Sequence, residues 1–170
     1  MQRLILMRHG EAERPAPGLQ DFDRALDAEG RREAGLIAAA LAGAGLEPDL
    51  ALVSAARRTR ETWRTVAEAL GHAIAAREDR SLYAASAARL AAAALEAAPD
   101  ARILMLVGHN PGIHQYAIHL AQQAGLGENE ARSLYERFPT GSAAVFAFDA
   151  HGQPGFERLF LVKDLKARPA

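Results

Sequence analysis

Residues 4–11 read Leu-Ile-Leu-Met-Arg-His-Gly-Glu, an apolar run that breaks at once into an arginine, a histidine and a glycine. Residues 4–7 supply the side chains of one buried strand, and Gly10 supplies backbone freedom for a sharp turn out of it. Arg8 and His9 are thereby expected at the carboxyl edge of a sheet, the edge at which open α/β folds hold their ligands. Arginine carries a planar fork of donors that matches phosphate, and histidine is a nucleophile or proton carrier near neutral pH. The pair suits phosphoryl transfer, although a His9 hydrogen-bonded in the core would leave the same octapeptide.

A second histidine is set in the same way. Residues 102–112, Arg-Ile-Leu-Met-Leu-Val-Gly-His-Asn-Pro-Gly, are again an apolar run broken at a histidine, His109. Asn110 is a good N-cap and Pro111 a good first helical residue, so a helix is expected directly after His109, and helix N-termini attract anions. Between the two runs, residues 49–53 form a short apolar strand, Ser54 is placed to cap the next helix, and Arg57, Arg58, Arg60 and Arg64 crowd its first turns. Arg57 with Glu61 and Glu61 with Arg64 are spaced to pair along that helix, for about 0.3 kcal/mol each. Spacing alone does not say which of Arg57 and Arg58 faces a phosphate.

The 170 residues are enough for one domain, 1–170, with a sizeable core. Twenty basic and 21 acidic residues leave a formal charge of −1, which gives no general attraction to nucleic acid or acidic membranes. A phosphate site must then be locally basic. The absence of cysteine excludes disulfides, a thiol nucleophile and thiolate metal sites, and suits a reducing compartment. No apolar stretch approaches the roughly 20 residues of a membrane span, and a strand that begins at residue 2 leaves no room for a signal peptide. A cytoplasmic protein is the expectation.

Apolar runs and helical patterns alternate along the chain, which points to an α/β fold, a three-layer α/β/α sandwich with a mostly parallel central sheet. Strands are expected near 2–7, 49–53, 102–107, 142–148 and 156–162, with a possible short one near 73–76. Helices are expected near 27–43, 55–70, 86–97 and 111–123, a loop at 125–130 and a frayed end at 166–170. The remaining histidines have structural readings. His109, His114 and His119 are spaced by five and do not share a helix face as a zinc pair does. His72 follows Gly71 at a helix end, where it caps, and His151 belongs to a hairpin turn. Glu11 and Glu13 are candidate acids or surface charges. No phosphate-binding glycine loop and no carboxylate cluster for magnesium is visible, so no metal and no cofactor is expected.

Three blocks, Leu6-Met-Arg8-His9-Gly10-Glu11, Ser54-Ala-Ala-Arg57-Arg58-Thr-Arg-Glu-Thr62 and Val107-Gly108-His109-Asn110-Pro111, resemble the signature blocks of the histidine phosphatase superfamily, which includes phosphoglycerate mutases and acid phosphatases. They occur in order and span most of the chain. The resemblance implies a phosphoglycerate mutase-like fold, covalent phosphorylation of His9, and phosphate contacts from Arg8, Arg58 and His109; it is what selects Arg58 over Arg57. Within the superfamily the chain is most similar to the small SixA-type phosphohistidine phosphatases, which share a stretch like Asp21-Phe-Asp-Arg24-Ala-Leu26-Asp-Ala-Glu-Gly30. Arg24 is then either a fourth cation of the site or a surface arginine paired with Asp21 or Asp27.

Two departures narrow the expected substrate. Many members carry a carboxylic acid in the segment that matches residues 80–86, and this stretch, Arg-Ser-Leu-Tyr-Ala-Ala-Ser, has none. Connections of a few residues leave no lid insertion, so a minimal form with a shallow, open basin is expected. These features imply a metal-independent phosphatase that works through a phosphohistidine intermediate on a phosphorylated protein carrying phosphohistidine. A small phosphate ester is the second substrate class, and a phosphate-binding module without turnover the third reading.

Overall fold

The structure, a computed structural model, describes residues 1–167, with the side chains of residues 128–131 outside that description. Six strands, β1 (Arg3–Arg8), β2 (Leu50–Ser54), β3 (Ala75–Asp79), β4 (Ile103–Gly108), β5 (Ala143–Phe148) and β6 (Pro154–Phe160), form one sheet in the order β3-β2-β4-β1-β5-β6. The pairs β1–β4, β2–β4 and β2–β3 are parallel; β5 runs antiparallel to both β1 and β6. The helices are α1 (Ala28–Gly43), α2 (Arg57–Leu70), α3 (Ala87–Ala97), α4 (Gly112–Gln123), α5 (Glu128–Glu136) and α6 (Val162–Lys166). Among the described residues no helix is long and apolar enough to cross a membrane.

The period-2 alternation of the strands builds two cores, because successive side chains point to opposite faces. Leu4, Leu6, Leu50, Leu52, Leu104, Leu106, Ala144 and Phe146 face one side, where Leu90 of α3 and Ile113, Tyr116 and Leu120 of α4 cover them. Ile5, Met7, Ala51, Val53, Met105, Val107 and Val145 face the other, beneath Ile37 and Leu41 of α1 and Trp63 and Val66 of α2. Each leucine or isoleucine buried here contributes about 2 kcal/mol of transfer free energy. With both faces covered, the polar ends of the central strands are left as the place for chemistry.

The parallel register fixes that place. Arg8 of β1 is the partner of Gly108 of β4, and the His9 amide donates to the Gly108 carbonyl at 3.2 Å. His9 and His109 therefore leave adjacent strands side by side, and Ser54 closes β2 beside them.

Several local expectations are corrected. Ser54 does not cap α2, whose N-cap is Ala56; its hydroxyl is committed to His109 instead. Asn110 does not cap α4 either: Pro111 is the N-cap, and the Asn110 amide donates to the Phe138 carbonyl at 2.9 Å. The 125–130 loop gives way to α5 from Glu128 onward. β3 lies at 75–79 rather than 73–76, and β6 begins two residues earlier than its apolar pattern. Gly10 is not in a left-handed conformation; a Cβ there would stand 2.5 Å from the Gly30 carbonyl oxygen, so the position demands a glycine for close approach of the chain to α1. Of the expected frayed end, Lys166 closes α6 and residues 168–170 lie outside the described residues.

Two connections are longer than the expected few residues. Residues 9–27 join β1 to α1, and residues 124–142 join α4 to β5 by way of α5. Both pass the carboxyl ends of β1 and β4 and contribute walls there.

Candidate active site

A cavity of about 470 Å³ opens at these strand ends, lined by Arg8, His9, Glu11, Ala12, Arg24, Arg58, His109, Asn110, Pro139 and Thr140. All five side chains singled out in the sequence, Arg8, His9, Arg24, Arg58 and His109, line it. A slightly larger cavity of about 540 Å³, between the end of α1 and the β6–α6 corner, contains no histidine and one arginine. Chemistry, not size, selects the first.

His9 is 8% exposed, and its two ring nitrogens are distinguished by their neighbours. Nδ1 stands 2.7 Å from the Gly10 carbonyl, which can only accept, so Nδ1 carries the proton. Nε2 accepts from Arg58 Nε at 3.2 Å, and a guanidinium can only donate, so Nε2 presents its lone pair. Burial lowers the His9 pKa from 6.5 to about 4; the Gly10 carbonyl opposes this, and the charges of Arg58, Arg8 and Arg24 reinforce it. The ring is thus neutral near neutral pH, with an unprotonated nitrogen at the cavity.

His109 sits 5.2 Å from His9, centroid to centroid, and is 5% exposed. Its Nε2 is 2.8 Å from the Ser54 hydroxyl. Burial lowers its pKa to about 3, followed in effect by His9 and Arg58. Four buried side-chain atoms lack a hydrogen-bond partner among the described residues: Arg8 Nε, His109 Nδ1, Asn110 Oδ1 and Ser142 Oγ. Three belong to residues that line the cavity. Leaving buried polar atoms unpaired costs about 1–3 kcal/mol each, so their convergence marks a place for a polar ligand.

Arg58 is held on two sides. Beyond Nε on His9, its Nη1 donates to the Asp21 carbonyl at 2.6 Å and its Nη2 to Asp21 Oδ2 at 2.9 Å. Arg8 Nη1 donates to the Phe138 carbonyl at 3.0 Å, and burial lowers the Arg8 pKa. Arg57 is half-exposed and donates to Glu61 at 2.8 Å, as its spacing suggested. Glu61's other cation is Arg31, not Arg64. Arg24 meets both of its readings: it lines the cavity and also pairs with Asp21 at 2.8 Å.

The sequence reading passed over several groups. Tyr83 donates its hydroxyl to Asp21 at 2.7 Å, and its ring stands nearly perpendicular to that of His109, 5.4 Å away between centroids. It lies in the very segment searched for a carboxylate, and nothing in spacing links it to a residue 62 positions earlier. Thr62 accepts from the Gly10 amide and donates to the Arg58 carbonyl, tying the two blocks together. Glu33 is buried, accepts from the Glu11 amide at 2.8 Å, and burial raises its pKa. Of the two candidate acids, Glu11 lines the cavity and accepts from Thr140, whereas Glu13 offers its backbone carbonyl to Arg24. Among the described residues no group of His, Cys, Asp and Glu side chains is arranged to hold a metal ion.

Four likenesses follow the geometry. The sequence profile of the histidine phosphatase superfamily, branch 1, matches residues 4–83. An uncharacterized protein of Mycobacterium tuberculosis is 32% identical over 145 residues, which cover 85% of this chain and 89% of that protein. A candidate phosphohistidine phosphatase SixA from Agrobacterium tumefaciens is 31% identical, with a TM-score of 0.78 over 94% of this chain and 97% of that one. Its counterpart from Nakamurella multipartitia is 25% identical, with a TM-score of 0.81 over 94% and 95%.

Proposed function

Because the chain belongs to the histidine phosphatase superfamily, we propose that it is a phosphatase that works through a phosphohistidine formed on His9 and that its substrate is phosphohistidine carried by another protein. The observation that carries this reading is the state of His9: neutral, with Nδ1 tied to Gly10 and Nε2 unprotonated at a cavity walled by three arginines.

The phosphoryl group enters the cavity and takes over the Arg58 Nε–H, which releases the Nε2 lone pair. Nε2 attacks phosphorus in line as the bond to the substrate nitrogen breaks. A substrate imidazole that bears a proton on its other nitrogen departs neutral, so no proton has to move in this step. Water then attacks phospho-His9, returns a neutral His9 and leaves as dihydrogen phosphate. Arg8, Arg24 and Arg58 surround the oxygens on which charge is spread in the transition state, so positioning and electrostatics supply most of the rate. The Ser54 hydroxyl, 2.8 Å from His109 Nε2, is placed to donate to it, which puts the ring proton on Nδ1, where the N–H can donate a hydrogen bond to a phosphoryl oxygen.

Leaving-group chemistry supports the substrate class. An alkyl ester must expel a strongly basic alkoxide unless an acid protonates it, whereas imidazole has a conjugate acid of pKa about 6.5. Residues 80–86 hold no carboxylate, and Tyr83 within them has given its hydroxyl to Asp21. One observation favours a small phosphate ester instead: Glu11 is a carboxylate on the cavity wall.

The test compares a phosphohistidine-bearing relay protein with simple alkyl phosphates in the presence of a chelator. The expected outcome is faster kcat/KM on the phosphohistidine protein, with label trapped on wild-type enzyme and absent from His9→Ala. Efficient ester hydrolysis that is lost in Glu11→Gln, with the phosphoprotein untouched, would establish the second reading.

A further inference from the structure

One carboxylate outside the cavity lining holds two of the arginines that line it. Asp21 accepts from Arg58 Nη2 through Oδ2 at 2.9 Å, from Arg24 Nη1 through Oδ1 at 2.8 Å and from the Tyr83 hydroxyl through Oδ2 at 2.7 Å, while its carbonyl takes Arg58 Nη1 at 2.6 Å. Both carboxylate oxygens are thus committed to groups of the site. Arg58 spans the gap between this anchor and the nucleophile, with its far edge on Asp21 and its Nε on His9.

That arrangement has two consequences of opposite sign. It fixes the guanidinium, so that Nε can change acceptor from His9 to a phosphoryl oxygen without the side chain swinging, which preserves the preorganisation on which electrostatic catalysis depends. It also sets a negative charge against the cations of the cavity, which weakens the attraction for any phosphate dianion, product included. Orientation helps the transition state; charge cancellation hinders retention of phosphate.

We propose that Asp21 is a positioning residue that both holds Arg58 for transfer and limits how tightly the site keeps inorganic phosphate. The inference rests on the phosphatase reading above. It accounts for three converging donors on a half-exposed turn that contributes nothing to the core: none of Asp21, Phe22 and Asp23 is buried. The carboxyl itself is held well below the usual carboxylate range, chiefly by its bonds to Arg24 and Tyr83, so it remains charged throughout the working pH range.

Asp21→Asn separates the two effects, since it keeps the shape and discards the charge. Binding of inorganic phosphate is measured by calorimetry, and turnover on the same preparations, for wild type, Asp21→Asn and Asp21→Glu. Asp21→Asn is expected to bind phosphate about 5-fold more tightly while kcat falls about 10-fold, and Asp21→Glu, which restores the charge, to bind phosphate within about 2-fold of wild type. A purely structural role would weaken binding and turnover together. Unchanged or weaker phosphate binding in Asp21→Asn, in a protein whose melting temperature is that of wild type, overturns the proposal. Wild-type protein that binds phosphate but turns over neither phosphohistidine nor esters would sink the phosphatase reading, and the binding comparison would still decide the role of Asp21 in holding phosphate.

Discussion

At His9 and Arg58, function is a matter of which atom has which partner. A backbone carbonyl on one ring nitrogen and a guanidinium on the other leave His9 a single protonation pattern, the one that the proposed attack on phosphorus requires. Arg58 and its neighbour Arg57 are alike in composition and differ in direction. Arg58 is 6% exposed and touches His9, the proposed nucleophile; Arg57 lies on the solvent side of α2 and pairs with Glu61. Arg58→Ala is expected to lower kcat/KM by about 100-fold or more, because it removes a charge-assisted donor from a preorganised site. Arg57→Ala removes an exposed pair worth about 0.3 kcal/mol and leaves Glu61 with Arg31 and the Leu26 amide, so kcat/KM should stay within about 2-fold of wild type. Steady-state kinetics on both variants checks this; equal losses would mean that Arg57 reaches the phosphate.

At the scale of elements, the ends of β1 and β4 were legible because each is an apolar run that stops dead at a histidine, and parallel pairing turns equal offsets into neighbours. Less of the remainder was visible, for physical reasons. β3 is exposed along residues 75–78, so no burial pattern marks it; it is a strand because the edge of β2 offers it a ladder. α5 was missed because, of its side chains that are described, Leu134 alone is buried, too little to set a helical period. Ser54 and Asn110 were misread as caps because capping propensity cannot see a partner 55 or 28 residues away. Gly10 was read correctly as necessary and for the wrong reason: it faces Gly30, whose own Cβ would stand 2.0 Å from the Glu11 carbonyl oxygen. This contact brings the first turn of α1 against the site loop. Gly30→Ala should therefore destabilise the protein and displace Glu11, with a loss of activity. Gly35, in the same helix with nothing within 4 Å of a built Cβ, is the control. Gly35→Ala should stabilise by about 0.5–1 kcal/mol through helix propensity and the unfolded state. Denaturant melts of the two variants should move in opposite directions.

For the whole molecule, the site is a charge imbalance that folding must tolerate. Two buried histidines lie beside Arg8, Arg24 and Arg58, and burial together with those charges keeps both rings neutral, with pKa values of about 4 for His9 and about 3 for His109. In the unfolded chain each would titrate near 6.5. Between pH 6.5 and 4 the unfolded state therefore binds more protons than the native one, and stability must fall as pH is lowered through that window, then level off once the native rings also protonate. For one histidine the loss is on the order of 3 kcal/mol. Asp21, whose carboxyl is depressed, adds a loss in the same direction, but below the ordinary carboxylate range and so outside this window. Glu33, raised by burial, works the opposite way, since its protonated form favours the native state at the acid end. It is present in both proteins of the comparison that isolates the histidines: wild type against a double variant carrying His9→Ala and His109→Ala. Urea unfolding at pH 7 and at pH 4.5 should show the wild type losing more stability than the double variant, by on the order of 5 kcal/mol for the two rings together. The same neutral His9 predicts that kcat/KM on a substrate that does not itself titrate holds from pH 7 down to about 5, where a histidine of ordinary pKa would already have lost most of its nucleophile. Parallel stability losses in the two proteins, or an activity limb centred near pH 6.5, would show that burial and the neighbouring arginines do not hold His9 in its neutral form.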